Sequence, residues 1–329
     1  MPGPRTEKVD LSLTNYYLCT TTTARGGFLA GTDPISGKNL SHRRGWVRDR
    51  VHTLAELTTV DICAYSVTET QLQVLLHIDA DRNAALSEDE VVERYGALHP
   101  VALKGYEAMN QRAKKDARKK YRARLGDLSW VMRALNEHIA RLCNREDGSR
   151  GHFWLKRFHT QALIDDVGLL MGLCRVDLKL VHEGFAKTPT GSDYTSIQER
   201  IRAHKKGGSR RAKAPEALVP FEGQRAGGDS EHTIPFHIDD YLALVDWSAK
   251  HLSKPSKADP PALLSDLGIP GGAWVTVLKD PRMATVTYLG SITGLEDIGD
   301  HTGKRKIHGK GLARILAGLN IHGGQLRDS

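Results

Sequence analysis

The chain reads as an α+β protein organised around an antiparallel sheet, and three observations point there. Two runs of β-formers, VDICAYSV at 60–67 and LQVLLHID at 72–79, are joined by the short TET turn, the spacing of an antiparallel hairpin. Val47, Val51, Leu54 and Leu57 recur with a helical period across residues 42–57. Leu128, Met132, Leu135, Ile139 and Leu142 do the same across residues 127–144, the most sustained helical pattern in the sequence.

The remaining elements follow in chain order. A first strand is expected at 13–19, followed by TTTTARGGFLAGTDPISGKN, where Gly26, Gly27, Gly31, Pro34 and Gly37 mark turns. In the helix that comes next, Arg43, Arg44, Arg48 and Arg50 take faces other than the apolar one. Residues two apart on a strand share a face, so Gln71, Gln73, Leu75 and His77 point one way and Leu72, Val74, Leu76 and Ile78 the other. Ser87 and Glu90 in SEDE form a capping box for a short helix through Tyr95 that stops near Gly96 and Pro100. The Gly-containing EDGSRG leads into HFWLKRFHTQALI and a helix at 165–175, in which Trp154 and Phe158 read as core. A helix at 238–252 precedes a Pro- and Gly-rich tail. These signals predict a main domain at 8–203, a basic Gly-rich linker at 204–233 and a mostly helical C-terminal extension at 234–329.

Charge points to an anionic partner. Across 329 residues, 47 Lys and Arg stand against 39 Asp and Glu, a formal charge of +8 and a pI near 9.3. RAKKDARKKYRAR at 112–124 holds eight basic residues against Asp116 alone, with Tyr121 inside the run. RIRAHKKGGSRRAK at 200–213 holds seven and no acid. Either run suits a phosphate backbone. No apolar leader and no run of 18 apolar residues occurs, so a cytoplasmic protein is expected. Cys19, Cys63, Cys143 and Cys174 lack metal-site spacing and read as small core residues.

No G-x-G-x-x-G, P-loop, G-x-S-x-G or H-E-x-x-H motif is present. Several stretches nonetheless occur together in order: SGKNLSHRRGWVRDR, DICAYSV, GHFWLKRFHTQALIDD, RVDLKLVHEGFAKTP, SDYTSIQERI and PFHIDDYLALVDW. In these the chain, over residues 8–252, resembles the REP-associated tyrosine transposases, a branch of the single-tyrosine HUH superfamily. The resemblance implies a ferredoxin-like antiparallel sheet with helices on one face.

In that family a His-hydrophobic-His pair on the strand after the AYxV segment holds a divalent metal, Mg or Mn, and a tyrosine attacks the scissile phosphate. The matching positions here are Gln71, Gln73 and Arg175, with Lys179 at an Asn position and Leu180 at a Pro position. Amides offer a transition metal no imidazole nitrogen, and a guanidinium has no hydroxyl with which to attack phosphorus. The resemblance thus implies a pseudoenzyme without cofactor that keeps nucleic-acid binding, to DNA or RNA, as a domesticated transposase acting as a regulator. The residues expected to contact nucleic acid are Arg25, Arg43, Arg44, Lys114, Lys115, Arg118, Lys119, Lys120, Arg122, Lys156, Arg157, Arg175, Lys179, Lys205, Lys206, Arg210 and Arg211. His77 shares a face with Gln73 but is not read as a substitute ligand. The alternatives are an active nuclease using Tyr194 or Tyr121 with Glu69 or Asp79, or a protein-interaction adaptor. Oligomeric state is left open.

Overall fold

The computed structural model describes residues 9–24, 27–207, 213–224, 232–253 and 258–319. In chain order the elements are β1 (Tyr16–Thr22), α1 (Arg43–Leu57), β2 (Val60–Val67), β3 (Gln71–Ile78), α2 (Ala80–Ala85), α3 (Glu88–Leu98), α4 (Pro100–Glu107), α5 (Gln111–Leu125), α6 (Leu128–Glu146) and β4 (His159–Leu163). They continue with α7 (Asp166–Asp177), α8 (Lys179–His182), α9 (Ser196–Gly207), β5 (Phe221–Glu222), β6 (Ile234–His237), α10 (Ile238–Ser253), α11 (Ala262–Asp266), α12 (Gly271–Lys279), β7 (Tyr288–Leu289), α13 (Ile292–Thr302) and α14 (Lys310–Leu316). Five strands form a mostly antiparallel sheet in the order β2-β3-β1-β4-β7, and β5 pairs with β6. The first four strands, with the helices between them, have the β-α-β-β-α-β order of a ferredoxin-like core. The α+β expectation and the helical C-terminal region are therefore both present.

The chain forms two compact units that alternate along the sequence: Met1–Leu18, Thr160–Ser192 and Pro235–Ser329 make one, and Cys19–His159 with Asp193–Ile234 make the other.

The hairpin anchors that second unit. Its pairing runs from Val67↔Leu72 through Ser66↔Gln73 and Ala64↔Leu75, then shifts between Ala64 and Ile62, leaving Cys63 as the extra residue of a β-bulge. The shift puts Asp61 opposite His77. All eight residues of β2 are buried, and its outer edge is closed by Ser196 at the start of α9, whose Oγ accepts from the Tyr65 amide (2.9 Å) and donates to the Tyr65 carbonyl (3.1 Å). Helix α1 turns Val47, Val51 and Leu54 inward and packs against α6, which buries Met132, Leu135, Ile139 and Cys143. Asp127 caps α6 by accepting from the Trp130 amide, and the expected capping box of α3 is formed, with Ser87 and Glu90 exchanging hydrogen bonds. Tyr95 of α3 stacks on Tyr121 of α5 with ring centroids 3.9 Å apart, a pair contributing about 0.5–1.5 kcal/mol beyond burial.

In the first unit, β4 pairs in parallel with the two-residue β7. The buried Gln161 reinforces this junction by donating to the carbonyls of Met283 (3.0 Å) and Val286 (2.8 Å). Asp165 caps α7 through the Gly168 amide (2.9 Å) and accepts from the Ser291 amide and hydroxyl as well. The approach of α7 to β7 demands glycine at 168, where a Cβ would lie 2.2 Å from the Leu289 carbonyl oxygen.

Candidate nucleic-acid interface

The densest basic run of the sequence is helix α5, capped by Asn110, whose side chain accepts from the Ala113 amide. Ala117, Tyr121 and Leu125, four residues apart, form its buried face. The opposite face carries Arg112, Lys115, Lys119 and Lys120, all exposed, with Asp116 as its acid. The arginines between these faces hold the helix in place. Arg118 pairs with Glu88 (2.9 Å) and donates to the Tyr106 hydroxyl, while Arg122 donates to the carbonyls of Asn83 (2.7 Å) and Leu86 (2.6 Å) at the end of α2. Arg124 donates to the Tyr95 hydroxyl, and the Lys114 ammonium lies 5.5 Å from the Tyr106 ring centroid. Tyr121, being buried and stacked, offers no ring to a base, and burial raises its hydroxyl pKa.

Two other expected contacts sit deeper than a surface role allows. Arg43 is completely buried: its guanidinium donates to Glu146 (2.6 Å), to Asp147 and to the Phe28 carbonyl (2.9 Å). A side chain with its donors so occupied holds the α1–α6 pair together, and the expectation that it meets phosphate is corrected here. Arg44 is half-buried, with its Nε enclosed and burial lowering its pKa against the opposing charges of Glu69 and Asp193. Lys156, Arg157, Lys205 and Lys206 are exposed. Arg25, Arg210 and Arg211 lie outside the described residues.

The two glutamines differ in setting. Gln71 is half-buried, whereas Gln73 is 1% exposed, its amide nitrogen 3.5 Å from the Thr20 hydroxyl and its carbonyl oxygen buried without a hydrogen-bond partner among the described residues. An orphaned buried acceptor costs about 1–3 kcal/mol. His77, further along the same strand face, is held by Asp61 (3.0 Å), which also accepts from Arg82 (2.5 Å), and its ring stacks on His232 at 3.8 Å. Burial beside His77 pushes the His232 pKa down to about 4. Asp79 caps α2 through the Arg82 amide. Among the described residues no group of three or more His, Cys, Asp or Glu is placed to hold a metal ion.

Tyr194 adopts φ 57°, an uncommon conformation for a non-glycine residue, and Arg48 lies 5.2 Å from its ring centroid. Near Arg48, Glu199 accepts from the Tyr65 hydroxyl (2.6 Å) and contacts His52 (3.1 Å), a half-buried network that sequence patterns did not single out.

Arg175 occupies neither an open surface nor an ion pair among the described residues. It lines a cavity of about 240 Å³ with Lys179, His182, Glu183 and apolar side chains from α10 and α12. Burial lowers its pKa to about 10, with Glu183 opposing, so it stays charged at neutral pH. Lys179 is tied to Glu183 at 2.6 Å. His182, which no sequence pattern singled out, joins this group from α8.

Strand order and side-chain placement together define the class: an α+β protein of ferredoxin-like topology with a basic helical face. No family model matches the chain, and no curated protein matches it. Among solved structures, that of a REP-associated tyrosine transposase bound to a REP hairpin is similar over 67% of this chain and 93% of that one, at 10% identity and a TM-score of 0.37.

Proposed function

We propose that this chain is a transposase-like nucleic-acid-binding protein without strand-cleaving chemistry, acting as a regulator that holds hairpin or single-stranded DNA or RNA. The observation that carries this is the outward face of α5. Arg112, Lys115, Lys119 and Lys120 face solvent along a stripe of about 12 Å, at 1.5 Å rise per residue, while the neighbouring arginines are engaged in packing. Cations left free on a rigid helix attract phosphate and release its counterions. They carry no sequence information, so selectivity for a loop or an unpaired segment has to come from other contacts. Lys156, Arg157, Lys205 and Lys206 add exposed charge in the same unit.

The absence of cleavage is inferred from the residues at the three positions that carry chemistry in the resembling family. Gln73 is buried away from solvent, Gln71 adds only an amide, and Arg175 has no nucleophilic oxygen. A cytoplasmic, nucleoid- or RNA-associated location belongs to this reading. Among the described residues no helix is long and apolar enough to cross a membrane.

The test is a mobility-shift titration with hairpin DNA, unpaired DNA and RNA of equal length, run with Mn and Mg. Binding that weakens steeply with salt, with no covalent adduct, is the expected result. Failure to shift any of the three at low salt overturns the binding reading. A metal-dependent covalent adduct overturns the inactive one.

A further inference from the structure

We infer that the cavity beneath α7 and α8 binds a small molecule made of one apolar ring and one oxyanion, a carboxylate or a phosphate monoester. The inference is separate from strand binding by α5 and does not depend on it.

Both carboxylates of the cavity are already paired. Glu183 is engaged by Lys179 at 2.6 Å, and the Asp280 carboxylate is engaged by Arg282 through contacts of 2.6–3.1 Å. That leaves the Arg175 guanidinium, with its Nε buried and without a hydrogen-bond partner among the described residues, as the cavity cation not engaged by an acid there. A largely buried guanidinium presents a planar fork that matches a carboxylate or phosphate in bidentate fashion, and an incoming anion would offset the cost of its burial. The depressed pKa of Arg175 reports the same unfavourable burial.

Apart from His182, the rest of the wall is apolar: Cys174 from α7, Leu178 from the segment between α7 and α8, Leu252 from α10, Leu278 from α12, and Pro281 and Ala284 beyond it. A largely apolar lining with a few placed polar groups is the usual composition of a small-ligand pocket. At about 240 Å³ the cavity exceeds the ~150 Å³ that accommodates benzene, leaving room for a ring and one anionic substituent.

The experiment is calorimetric titration of the full-length protein with sodium benzoate, phenyl phosphate, inorganic phosphate and benzyl alcohol. Benzoate or phenyl phosphate should bind saturably at one site, and comparing them decides between the carboxylate and the phosphate. Inorganic phosphate should bind at least tenfold more weakly, and benzyl alcohol should give no saturable heat. Arg175→Gln should lose at least tenfold affinity, with Arg175→Lys retaining part of it. Ala284→Trp, which narrows the cavity and leaves Arg175 in place, should also abolish binding and covers the case in which Arg175→Gln does not fold. Equal binding of benzyl alcohol and benzoate, undiminished binding by folded Arg175→Gln or by Ala284→Trp, or no binding of any probe overturns the inference. A Lys115→Glu, Lys119→Glu, Lys120→Glu variant should keep ligand binding while losing nucleic acid, so failure of one reading is distinguishable from failure of the other.

Discussion

The Arg200 guanidinium donates to the carbonyl oxygen of Cys63 at 2.7 Å, at the residue where the β2–β3 ladder shifts register. The same nitrogen donates to the Val219 carbonyl at 3.0 Å, and the guanidinium lies 4.6 Å from the Phe221 ring centroid. A bulge releases a carbonyl from the ladder, and a buried carbonyl left unpaired costs about 1–3 kcal/mol. Arg200 thereby holds the shift that sets Asp61 opposite His77.

Replacing Arg200 with Met therefore should destabilise the protein by about 2–4 kcal/mol, because two buried carbonyls lose their donor while the packing volume is roughly kept. The midpoint of urea unfolding measures this, and Arg200→Lys, which reaches one carbonyl, should fall between. A midpoint unchanged in Met would show that the bulge needs no donor.

Arg43 and Lys115 make opposite predictions although both are basic residues on helices. Arg43→Ala removes a buried partner of Glu146 and Asp147 and opens a cavity between α1 and α6, so stability should fall by about 2–4 kcal/mol. Lys115→Ala should leave stability within about 0.5 kcal/mol and weaken nucleic-acid binding. Thermal unfolding and mobility shift, run on both variants, separate the roles.

The α5 stripe predicts a salt signature. The slope of log affinity against log salt should flatten by about 1 for each of Arg112, Lys115, Lys119 and Lys120 replaced by Ala. Arg122→Ala should instead lower stability, since its guanidinium holds the end of α2. Slopes unaffected by the four surface replacements would place the contact on another face.

His232 predicts an acid-sensitive fold. With a folded-state pKa of about 4 against about 6.5 unfolded, the unfolded chain binds this proton more readily. Its contribution is intact above about pH 6.5 and is lost as pH falls towards 4, below which it levels off. Allowing for the partial exposure of the ring, the loss should be about 1–2 kcal/mol. His232→Phe keeps the ring stacked on His77 and should remove that part of the acid limb in unfolding measured from pH 7 to pH 4.

Local regularities were open to inspection from the residues. The hairpin could be read from two runs of β-formers joined by a short turn, α1 and α6 from periods near 3.6, and the start of α3 from Ser87 and Glu90, because each signal lies within a few turns of the chain. The identity of Gln71, Gln73 and Arg175 was likewise plain, as was the density of charge at 112–124. The use of each charge was not. Arg43, Arg118 and Arg122 have the same chemistry as Arg112, and only packing against Glu146, Glu88 and the end of α2 makes them structural. The bulge at Cys63 needed a donor 137 residues away, and the surroundings of Arg175 needed Leu252 and Leu278 from helices distant in sequence. A sequence pattern records what repeats along one segment. The burial of an amide or a guanidinium is decided by which remote segments close over it.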